Sequence, residues 1–514
     1  MSKTIIIIGA GLAGLSAALQ AAENGCNVKL VSSLPSERAQ SVMAEGGINA
    51  ALNTKDENDS PEEHFTDTIK AACGLADQNA VWGMTQAAPE LVHWLLKLGV
   101  KFNMSGYDDV DLRNFGGQKK KRTAFAQSDT GKQIMTAMID AVRRKEASGM
   151  VERFSNHSFL TLRLCGNICC GCVIRDEYSQ ETVELPGDAV IVATGGMHGL
   201  FGNTTGSLSN TGEVTAELFR LGVPLANGEM IQYHPTTVKC GGKRMLISEA
   251  ARGEGGRLFA MKDGKQWYFM EEKYPELGNL MPRDITAREI WKVSHESEVF
   301  LDMTEISEEI ISNKLSGLAD DCMTYLHKDI RKEPVSVLPG IHYFMGGILV
   351  DEQHRTPIQN LCAAGECCAQ YHGANRLGGN SLLGALYGGR VAAKSACEQA
   401  DVVDLSCATQ IDFPPASQIS EIKQLNKVMQ ETMGVVRNEN TLLNGIKTVQ
   451  ALTGNLPLLG MAVLKSALAR KESRGAHWRE DYPKSNDDDY LKTTVARFDG
   501  KQIQISFVPV PERR

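Results

Sequence analysis

The first hydrophobic pattern along the chain predicts a strand, a helix and a second strand. A run of β-branched residues from Thr4 to Ile8 leads into a glycine-rich turn, and an apolar stretch then continues to Asn24. Residues 27–31 (NVKLV) have the composition of a further strand. A strand–helix–strand unit of about thirty residues is typical of a parallel sheet covered by helices. The pattern therefore predicts an α/β fold.

Two later junctions between an apolar run and glycine predict further strands of the same kind. They are AVIVATGG, from Ala189 to Gly196, and LCAAGE, from Leu361 to Glu366. Because long stretches separate these junctions, we expect the nucleotide-binding domain to be interrupted by an insertion. From about residue 417 the sequence becomes helical and charged, and its last ~15 residues alternate as a terminal strand would.

Length and charge limit the classes of protein that fit. The 514 residues indicate roughly two to four domains. The formal net charge of −8 argues against a nucleic-acid-binding surface. Apolar runs are shorter than the ~18–20 residues that span a bilayer, and the N-terminal run is too short for a signal peptide. We expect a cytoplasmic protein that reaches a membrane only through a partner.

The thirteen cysteines include two clusters, at residues 165–172 and 362–368. Neither cluster has the paired CxxC spacing of a metal site. The first lies in strand-like sequence, CGNICCGCVIRD. We therefore expect free thiols that act as small buried hydrophobic residues, and no metal site.

The glycine-rich turn has the GxGxxG spacing of a dinucleotide-binding loop, at Gly9, Gly11 and Gly14. The first glycine permits the turn, the second lets the backbone approach a pyrophosphate, and the third allows close packing of helix and strand. Ser32 stands where an acidic ribose-binding residue is usual. The later strand ends, including Glu366, favour FAD over NAD.

Longer motifs follow, and through them the chain resembles the flavoprotein subunits of fumarate reductase and succinate dehydrogenase and the related L-aspartate oxidases. The resemblance extends from about residue 4 to residue 483. Its motifs are AEGGINAAL, FGGQKKKRTAFAQSDTGKQ, QYHPTTV, SEAARGEGG, PRDITAREI, GIHYFMGGI, HGANRLGGNSLLGALYGGR and ESRGAHWREDYP.

The resemblance implies a Rossmann-like FAD-binding domain interrupted by a capping domain and followed by a helical C-terminal domain. The predicted division is 1–228 and 341–405 for the two parts of the FAD-binding domain, 229–340 for the cap and 406–514 for the C-terminal domain. It also implies a set of FAD-binding residues: Gly9, Gly11, Gly14, Ser32, Ser41, Gly46, Gly47, Ala193, Thr194, Gly195, Glu366, Asn380, Ser381 and Leu382.

A small dicarboxylate needs one cationic or hydrogen-bonding group for each carboxylate, and arginine matches a carboxylate best. The resemblance assigns this role to Arg376, His342, His234 and Ser248, where many relatives have threonine in place of Ser248. It implies that Arg283 is the acid that protonates the substrate carbon. Such an arginine needs a proton relay, and the resemblance implies Glu249 and Arg252, which could also be a structural ion pair.

The chain departs from the family at the position of the histidine that carries covalent FAD, where it has Gln40. We therefore predict non-covalent FAD and, since covalent attachment accompanies a higher flavin potential, reduction of fumarate rather than oxidation of succinate.

L-Aspartate oxidase is the main alternative, and reduction of another α,β-unsaturated acid is a second one. The oxidases have a glutamate that faces the substrate amino group, and this chain has Phe115 there. NRLGGNS also favours the reductase, while PRDITARE and VFLDM look more like the oxidase. The resemblance allows an iron–sulfur subunit and a membrane anchor as partner chains, or an enzyme that works alone.

Overall fold

The computed structural model describes residues 2–106, 109–399, 413 and 418–513. Its centre is a five-stranded sheet in which every neighbouring pair is parallel. The strands, in spatial order, are Leu361–Ala363, Ala189–Val192, Thr4–Ile8, Asn27–Ser32 and Val151–Ser155. The predicted α/β core and its strands are confirmed.

The two faces of this sheet are covered by different layers, because side chains alternate along a strand. Ile5 and Ile7 pack against helices, and Ile6 and Ile8 pack against a second sheet. Both faces are buried, which explains why the strand reads as an uninterrupted apolar run. The helices are Leu12–Glu23, Pro61–Ala71, Gln78–Lys97, Thr130–Ala147 and Asn380–Gln399.

The second layer is an antiparallel sheet of His157–Cys165, Ile168–Asp176 and Thr182–Pro186. Cys169 and Cys172 are buried in its middle strand. Burial raises the pKa of the Cys169 thiol to about 12. These two cysteines are free and pack as small apolar side chains, whereas Cys165 is disulfide-bonded, so the prediction of free thiols is wrong at that position.

The first and last parts of the cofactor region meet where helix Asn380–Gln399 crosses helix Leu12–Glu23. A Cβ added to Gly389 would lie 2.3 Å from the carbonyl oxygen of Ala13. Only glycine permits this approach of the two helices. The crossing explains how segments nearly 370 positions apart along the chain form one binding region.

The predicted cap contains a separate apolar cluster built largely from residues 247–337. Its first sheet is Lys243–Leu246, Ile231–Cys240 and Leu338–Phe344, and its second is Lys265–Trp267, Arg257–Lys262, Val299–Asp302 and Val335–Ser336. Its helices are Glu249–Gly253, Phe269–Lys273, Arg283–Val293, Glu308–Lys314 and Ser316–Asp321. Strand Leu338–Phe344 continues past the predicted limit at residue 340; the domain division itself stays a prediction.

The C-terminal region contains helices Ile419–Thr432, Glu439–Val449, Asn455–Ala469 and Asp487–Tyr490. The predicted terminal strand is Ile503–Pro509, paired with Lys492–Phe498. This hairpin joins Leu225–Ala226 in a mixed sheet completed by Gly347–Leu349 and Cys368–Ala369. Residues 406–412, where the predicted C-terminal domain begins, lie outside the described residues.

The remaining elements are short. Ile48–Asn49, Thr123–Ala124 and Leu112–Arg113 form a small antiparallel sheet, and helix Glu213–Arg220 precedes strand Leu225–Ala226. Across the described part of the chain, no helix has the length and apolarity needed to cross a bilayer.

Candidate active site

One cavity of about 350 Å³ is lined both by the glycine turn and by the predicted substrate residues. The predicted FAD-binding residues at its wall are Gly9, Gly11, Ser32, Ser41, Gly46, Gly47, Ala193, Thr194, Gly195, Glu366, Ser381 and Leu382. The other predicted residues at its wall are His234, Ser248, Glu249, Arg283, His342 and Arg376. Residues from distant parts of the sequence therefore meet around one space.

The three glycines of the turn have different surroundings. A Cβ on Gly9 would lie 2.3 Å from the carbonyl oxygen of Ala193, and a Cβ on Gly14 would lie 1.8 Å from that of Gly9. A Cβ on Gly11 would meet only side-chain atoms of Ser41 and Ala39, at 3.6 and 3.8 Å. Gly9 and Gly14 are thus required by the packing of the turn, whereas Gly11 faces space that a ligand can occupy.

The polar groups around the turn fit a dinucleotide. Helix Leu12–Glu23 begins at the cavity, where the N–H of Leu12 donates to Oγ of Ser41 at 3.2 Å, and the positive end of the helix suits a phosphate. The hydroxyl of Ser32 is buried and makes no hydrogen bond to another described residue. A ribose hydroxyl would supply the missing partner.

Two predicted cofactor residues, Gly14 and Asn380, do not line the cavity. Asn380 is buried, and its amide group bonds Asn49, His64 and Thr68 at 2.7, 2.9 and 3.0 Å. Both residues therefore shape the turn and the helix beneath the cavity.

Gln40 lies at the cavity wall, and its Oε1 accepts a hydrogen bond from the backbone N–H of Ser207 at 2.5 Å. Phe115 also lines the cavity, with its ring against Gly46, where an added Cβ would meet the ring at 2.9 Å. Both departures from the family motifs thus occur in the site itself.

Arg283, Glu249 and Arg252 form a buried chain of charges. Glu249 Oε2 accepts from Nε and Nη2 of Arg283 at 2.8 and 2.6 Å, and its Oε1 accepts from Nη2 of Arg252 at 3.2 Å. Burial by itself would raise the pKa of Glu249, but Arg283 and Arg252 outweigh it and hold the pKa below its ordinary value. Burial lowers the pKa of Arg252, against the opposing effect of Glu249.

Local structure explains how Glu249, Arg252 and Arg283 come together. Ser248 caps the short helix Glu249–Gly253 by accepting from the N–H of Ala250, and a spacing of three places Glu249 and Arg252 on one side of that helix. Arg283 is the first residue of helix Arg283–Val293. Arg252 does not line the cavity and instead donates to the carbonyl of Asn279 at 2.6 Å.

His234 and His342 are neighbours, with ring centroids 5.2 Å apart. His342 Nδ1 bonds the hydroxyl of Thr205 at 2.8 Å, and His234 Nδ1 lies 3.1 Å from the carbonyl of Thr236. Burial, and then the nearby charge of Arg283, lower the pKa of both histidines well below the ordinary value. The two imidazoles are therefore neutral at physiological pH.

Arg376 differs from Arg283 and Arg252, which pair with Glu249, because no acidic side chain among the described residues forms an ion pair with it. It is 2% exposed, and its Nε has no hydrogen-bond partner among the described residues. Burial and the charge of Arg283 lower its pKa to about 9. A buried guanidinium without an anionic partner is expected where a ligand supplies the anion.

Three further residues of the site were missed by sequence reasoning. Gln232 Oε1 accepts from Arg283 Nη1 at 3.1 Å, and the ring of Tyr343 lies against Arg376. Glu45 lines the cavity, and burial, together with Asp321 and Asp129, raises its pKa to about 8. All three belong to motifs already noted (QYHPTTV, GIHYFMGGI and AEGG), but their side chains meet the site only through folding.

No group of three or more histidine, cysteine or acidic side chains within the described residues could hold a metal ion.

The cavity thus joins a dinucleotide-binding turn to a cluster of cationic side chains. A family model described as FAD binding domain matches residues 4–382, and one described as fumarate reductase flavoprotein C-term matches residues 452–513. The protein is therefore an FAD-dependent oxidoreductase.

Related proteins narrow the class. The succinate dehydrogenase flavoprotein subunit of Bacillus subtilis is 38% identical over 576 aligned residues, covering 100% of this chain and 98% of that protein. The 8-methylmenaquinol:fumarate reductase flavoprotein subunit of Wolinella succinogenes is 32% identical, with coverages of 100% and 92%. The FrdA chain of E. coli quinol fumarate reductase superposes with a TM-score of 0.90 at 28% identity, with coverages of 100% and 97%.

The chain belongs to the family of succinate dehydrogenase and fumarate reductase flavoprotein subunits. The predicted resemblance and fold class are confirmed.

Proposed function

We propose that this protein transfers a hydride between FAD and a C4 dicarboxylate, and that its reaction is the reduction of fumarate to succinate. The observation that carries the proposal is the shared cavity. It is lined by the dinucleotide turn, by the Arg283–Glu249 pair and by Arg376, whose Nε has no partner among the described residues.

FAD, when bound, supplies the hydride. The glycine turn, Ser32 and the segments around Gly47, Thr194 and Glu366 would hold it. We infer that the FAD is not covalently attached, because Gln40 has no nucleophilic nitrogen comparable to that of histidine. Precipitation with acid should therefore release the flavin into the supernatant.

The four predicted substrate residues suit two carboxylates. Arg376 offers a charged, planar set of donors, and arginine binds a carboxylate through two parallel hydrogen bonds. His234, His342 and Ser248 offer neutral donors at the same cavity wall. A ligand with one strong and one weaker anchoring point is thereby oriented as well as bound.

Arg283 would deliver the proton to the substrate carbon that does not receive the hydride. A hydride and a proton together convert fumarate into succinate. The proton leaves a guanidinium nitrogen of Arg283, and Glu249 Oε2, 2.6 Å from Nη2, is placed to return one. Glu249 Oε1 and Arg252 Nη2, 3.2 Å apart, extend the route.

Phe115 supports a substrate without an amino group. Its ring is buried at the cavity wall and provides no anion to pair with an ammonium group. Gln40 supports the reductive direction for the reason given above. L-Aspartate oxidation remains the alternative that the experiment must separate.

Other chains would supply the electrons. The relatives are flavoprotein subunits, and we propose an iron–sulfur subunit and a membrane anchor as partners of this chain. The cytoplasmic location also stays a prediction.

The proposal is tested by reducing the FAD-loaded protein anaerobically and mixing it with fumarate. We expect rapid reoxidation of the flavin and formation of succinate. If fumarate does not reoxidise the flavin and the protein forms peroxide with L-aspartate, the assignment changes from fumarate reductase to L-aspartate oxidase.

A matched pair of variants tests the role of Arg283. Removing one catalytic proton donor should lower the rate of reoxidation by about 10²–10⁴-fold in Arg283→Leu. Arg288 lies on the same helix but stacks on Trp478, 4.0 Å from the ring centroid. Arg288→Leu should keep the rate of flavin reoxidation of the unsubstituted protein. If Arg283→Leu is reoxidised as fast as Arg288→Leu, Arg283 is not the proton donor.

A further inference from the structure

We propose that Tyr343 is a positioning residue for the substrate, because its ring holds the guanidinium of Arg376 without occupying the donors that bind a carboxylate. The inference rests on the proposed function and assigns a role within the same site.

The contact itself is close. The guanidinium carbon of Arg376 lies 4.4 Å from the centroid of the Tyr343 ring. Both side chains are buried, and both line the cavity. At this distance the negative face of an aromatic ring attracts a cation.

Arg376 lacks the partner that a buried arginine usually has. Arg283 and Arg252 are paired with Glu249, and Arg122 is paired with Asp59 and Asp67. Within the described residues, no hydrogen bond is donated by the guanidinium of Arg376, and no ion pair involves it. The ring thus takes the place of the acidic side chain.

This exchange of partners has a chemical consequence. A carboxylate partner would take one or two N–H donors of the guanidinium and would compete with the substrate for them. The face of a ring takes none. Burial raises the pKa of the Tyr343 hydroxyl well above its ordinary value, so the ring stays neutral and brings no negative charge of its own.

The backbone fixes the ring on the correct side of Arg376. Tyr343 pairs with Gln232 across the two antiparallel strands Leu338–Phe344 and Ile231–Cys240. Gln232 Nε2 donates to the carbonyl oxygen of Arg376 at 2.9 Å and to Oδ1 of Asn375 at 3.0 Å. One strand pair therefore holds both the side chain and the backbone of Arg376.

The Tyr343 ring also packs against a second ring. The His372 ring meets the Tyr343 ring at an interplanar angle of 81°, with centroids 5.3 Å apart. This contact limits how far the Tyr343 ring can tilt beneath the guanidinium of Arg376.

The test compares Tyr343→Leu with Tyr343→Phe in the FAD-loaded protein. Malonate, a dicarboxylate that cannot be reduced, is titrated by calorimetry, and fumarate reduction is followed at steady state. In Tyr343→Leu we expect the Kd for malonate and the KM for fumarate to rise about ten-fold, with kcat changed about two-fold or less. Tyr343→Phe keeps the ring and should stay within about two-fold of the unsubstituted protein.

Tyr371→Leu is the control for removing a buried tyrosine. Tyr371 is buried beside His354 and does not line the cavity. Its substitution should leave the malonate Kd unchanged. Equal malonate affinity in Tyr343→Leu and the unsubstituted protein would overturn the proposal, as would a Phe variant as weak as the Leu variant, since the hydroxyl would then be responsible.

If Tyr343→Leu does not fold, phenylalanine carrying one, two or three ring fluorines is incorporated at position 343. Fluorine weakens the negative ring face and changes the shape little, so the malonate Kd should rise with each fluorine; a constant Kd would overturn the proposal. An unsubstituted protein that binds neither malonate nor fumarate would instead contradict the proposed function.

Discussion

At the scale of single residues, burial and neighbouring charges determine which side chains of the site are charged and which are neutral. His234 and His342 have pKa values well below the ordinary range, because burial and then Arg283 oppose their protonation. Arg376 has a pKa of about 9, lowered by burial and by Arg283 and opposed by Tyr343, Glu366 and Glu249. The imidazoles are thus neutral, and the guanidinium of Arg376 is the group that we propose as the cationic partner of a carboxylate.

The difference in charge between the two histidines and Arg376 predicts how dicarboxylate binding depends on pH. Arg376 is charged below its pKa, so affinity for malonate should be retained at lower pH and lost as the pH rises through about 9. The histidines do not change charge near their ordinary pKa of about 6.5, and no step is expected there. Calorimetric titration with malonate from pH 6 to about 10 measures both features. After correction for the second ionisation of malonate itself, a step near pH 6.5 would show that an imidazole becomes charged in the site.

Motif resemblance singled out Arg283, His342 and Arg376 as candidate site residues, and the structure brings them together at one cavity wall, while their roles stay a prediction. It did not predict Gln232 or Tyr343. Their importance depends on a cross-strand pairing that contains an irregularity between Gln232 and Tyr233. No spacing within one segment reveals such a pairing.

At the scale of elements, the glycine turn combines two requirements that the sequence alone cannot separate. All three glycines match the same motif, yet an added Cβ would collide with backbone at Gly14 and would point into ligand space at Gly11. The packing of the turn therefore requires glycine at position 14, and we propose that Gly11 contacts the cofactor.

Two variants should separate these requirements. Gly14→Ala places a Cβ 1.8 Å from a carbonyl oxygen, so the turn must open, and we expect a lower Tm of the apoprotein and loss of FAD. Gly11→Ala meets no atom closer than 3.6 Å, so the apoprotein should keep its Tm while its Kd for FAD rises. The measurements are thermal unfolding without FAD and flavin-fluorescence titration. A Gly11→Ala apoprotein as unstable as Gly14→Ala would contradict the assignment.

Elements buried on both faces were predictable, because their apolar runs are continuous. Strands Thr4–Ile8 and Ala189–Val192 are examples. Strand Leu338–Phe344 was not separated from the second part of the cofactor domain. It belongs by pairing to the cap sheet but continues across residue 340 into the cavity wall, and that dual membership has no signature in local composition.

At the scale of the whole molecule, the C-terminal region is tied to the site by a buried network. Arg470 Nε donates to Glu229 Oε1 and its Nη1 to Glu472 Oε1, both at 2.7 Å, and all three side chains are fully buried. Four residues beyond Glu472, Ala476 donates from its N–H to the carbonyl of Ala374 at 2.9 Å. Ala374 lies two residues before Arg376, so the C-terminal region supports the segment that carries this side chain.

The network should make Arg470 far more important to stability than an ion pair of equal length at the surface. Arg470→Met leaves Glu229 with a hydrogen bond from Thr494 and no cation, and we expect a loss of about 3–5 kcal/mol of unfolding free energy. Arg331 bonds Glu308 at the same 2.7 Å, but both side chains are exposed, so Arg331→Met should cost about 0–1 kcal/mol. Urea unfolding of the FAD-loaded proteins measures the difference.

The double variant Glu229→Gln with Arg470→Met identifies why Arg470→Met loses stability. If the cost arises from a buried, unpaired carboxylate, neutralising Glu229 should recover part of the stability that Arg470→Met loses, because the charge that required compensation is gone. If the double variant is less stable than Arg470→Met, the contacts of Arg470 with the carbonyls of Tyr490 and Lys492 outweigh its charge, and the network acts by packing the C-terminal segment. In both outcomes, the stability of the region around Arg376 depends on side chains that lie more than ninety residues away in the sequence.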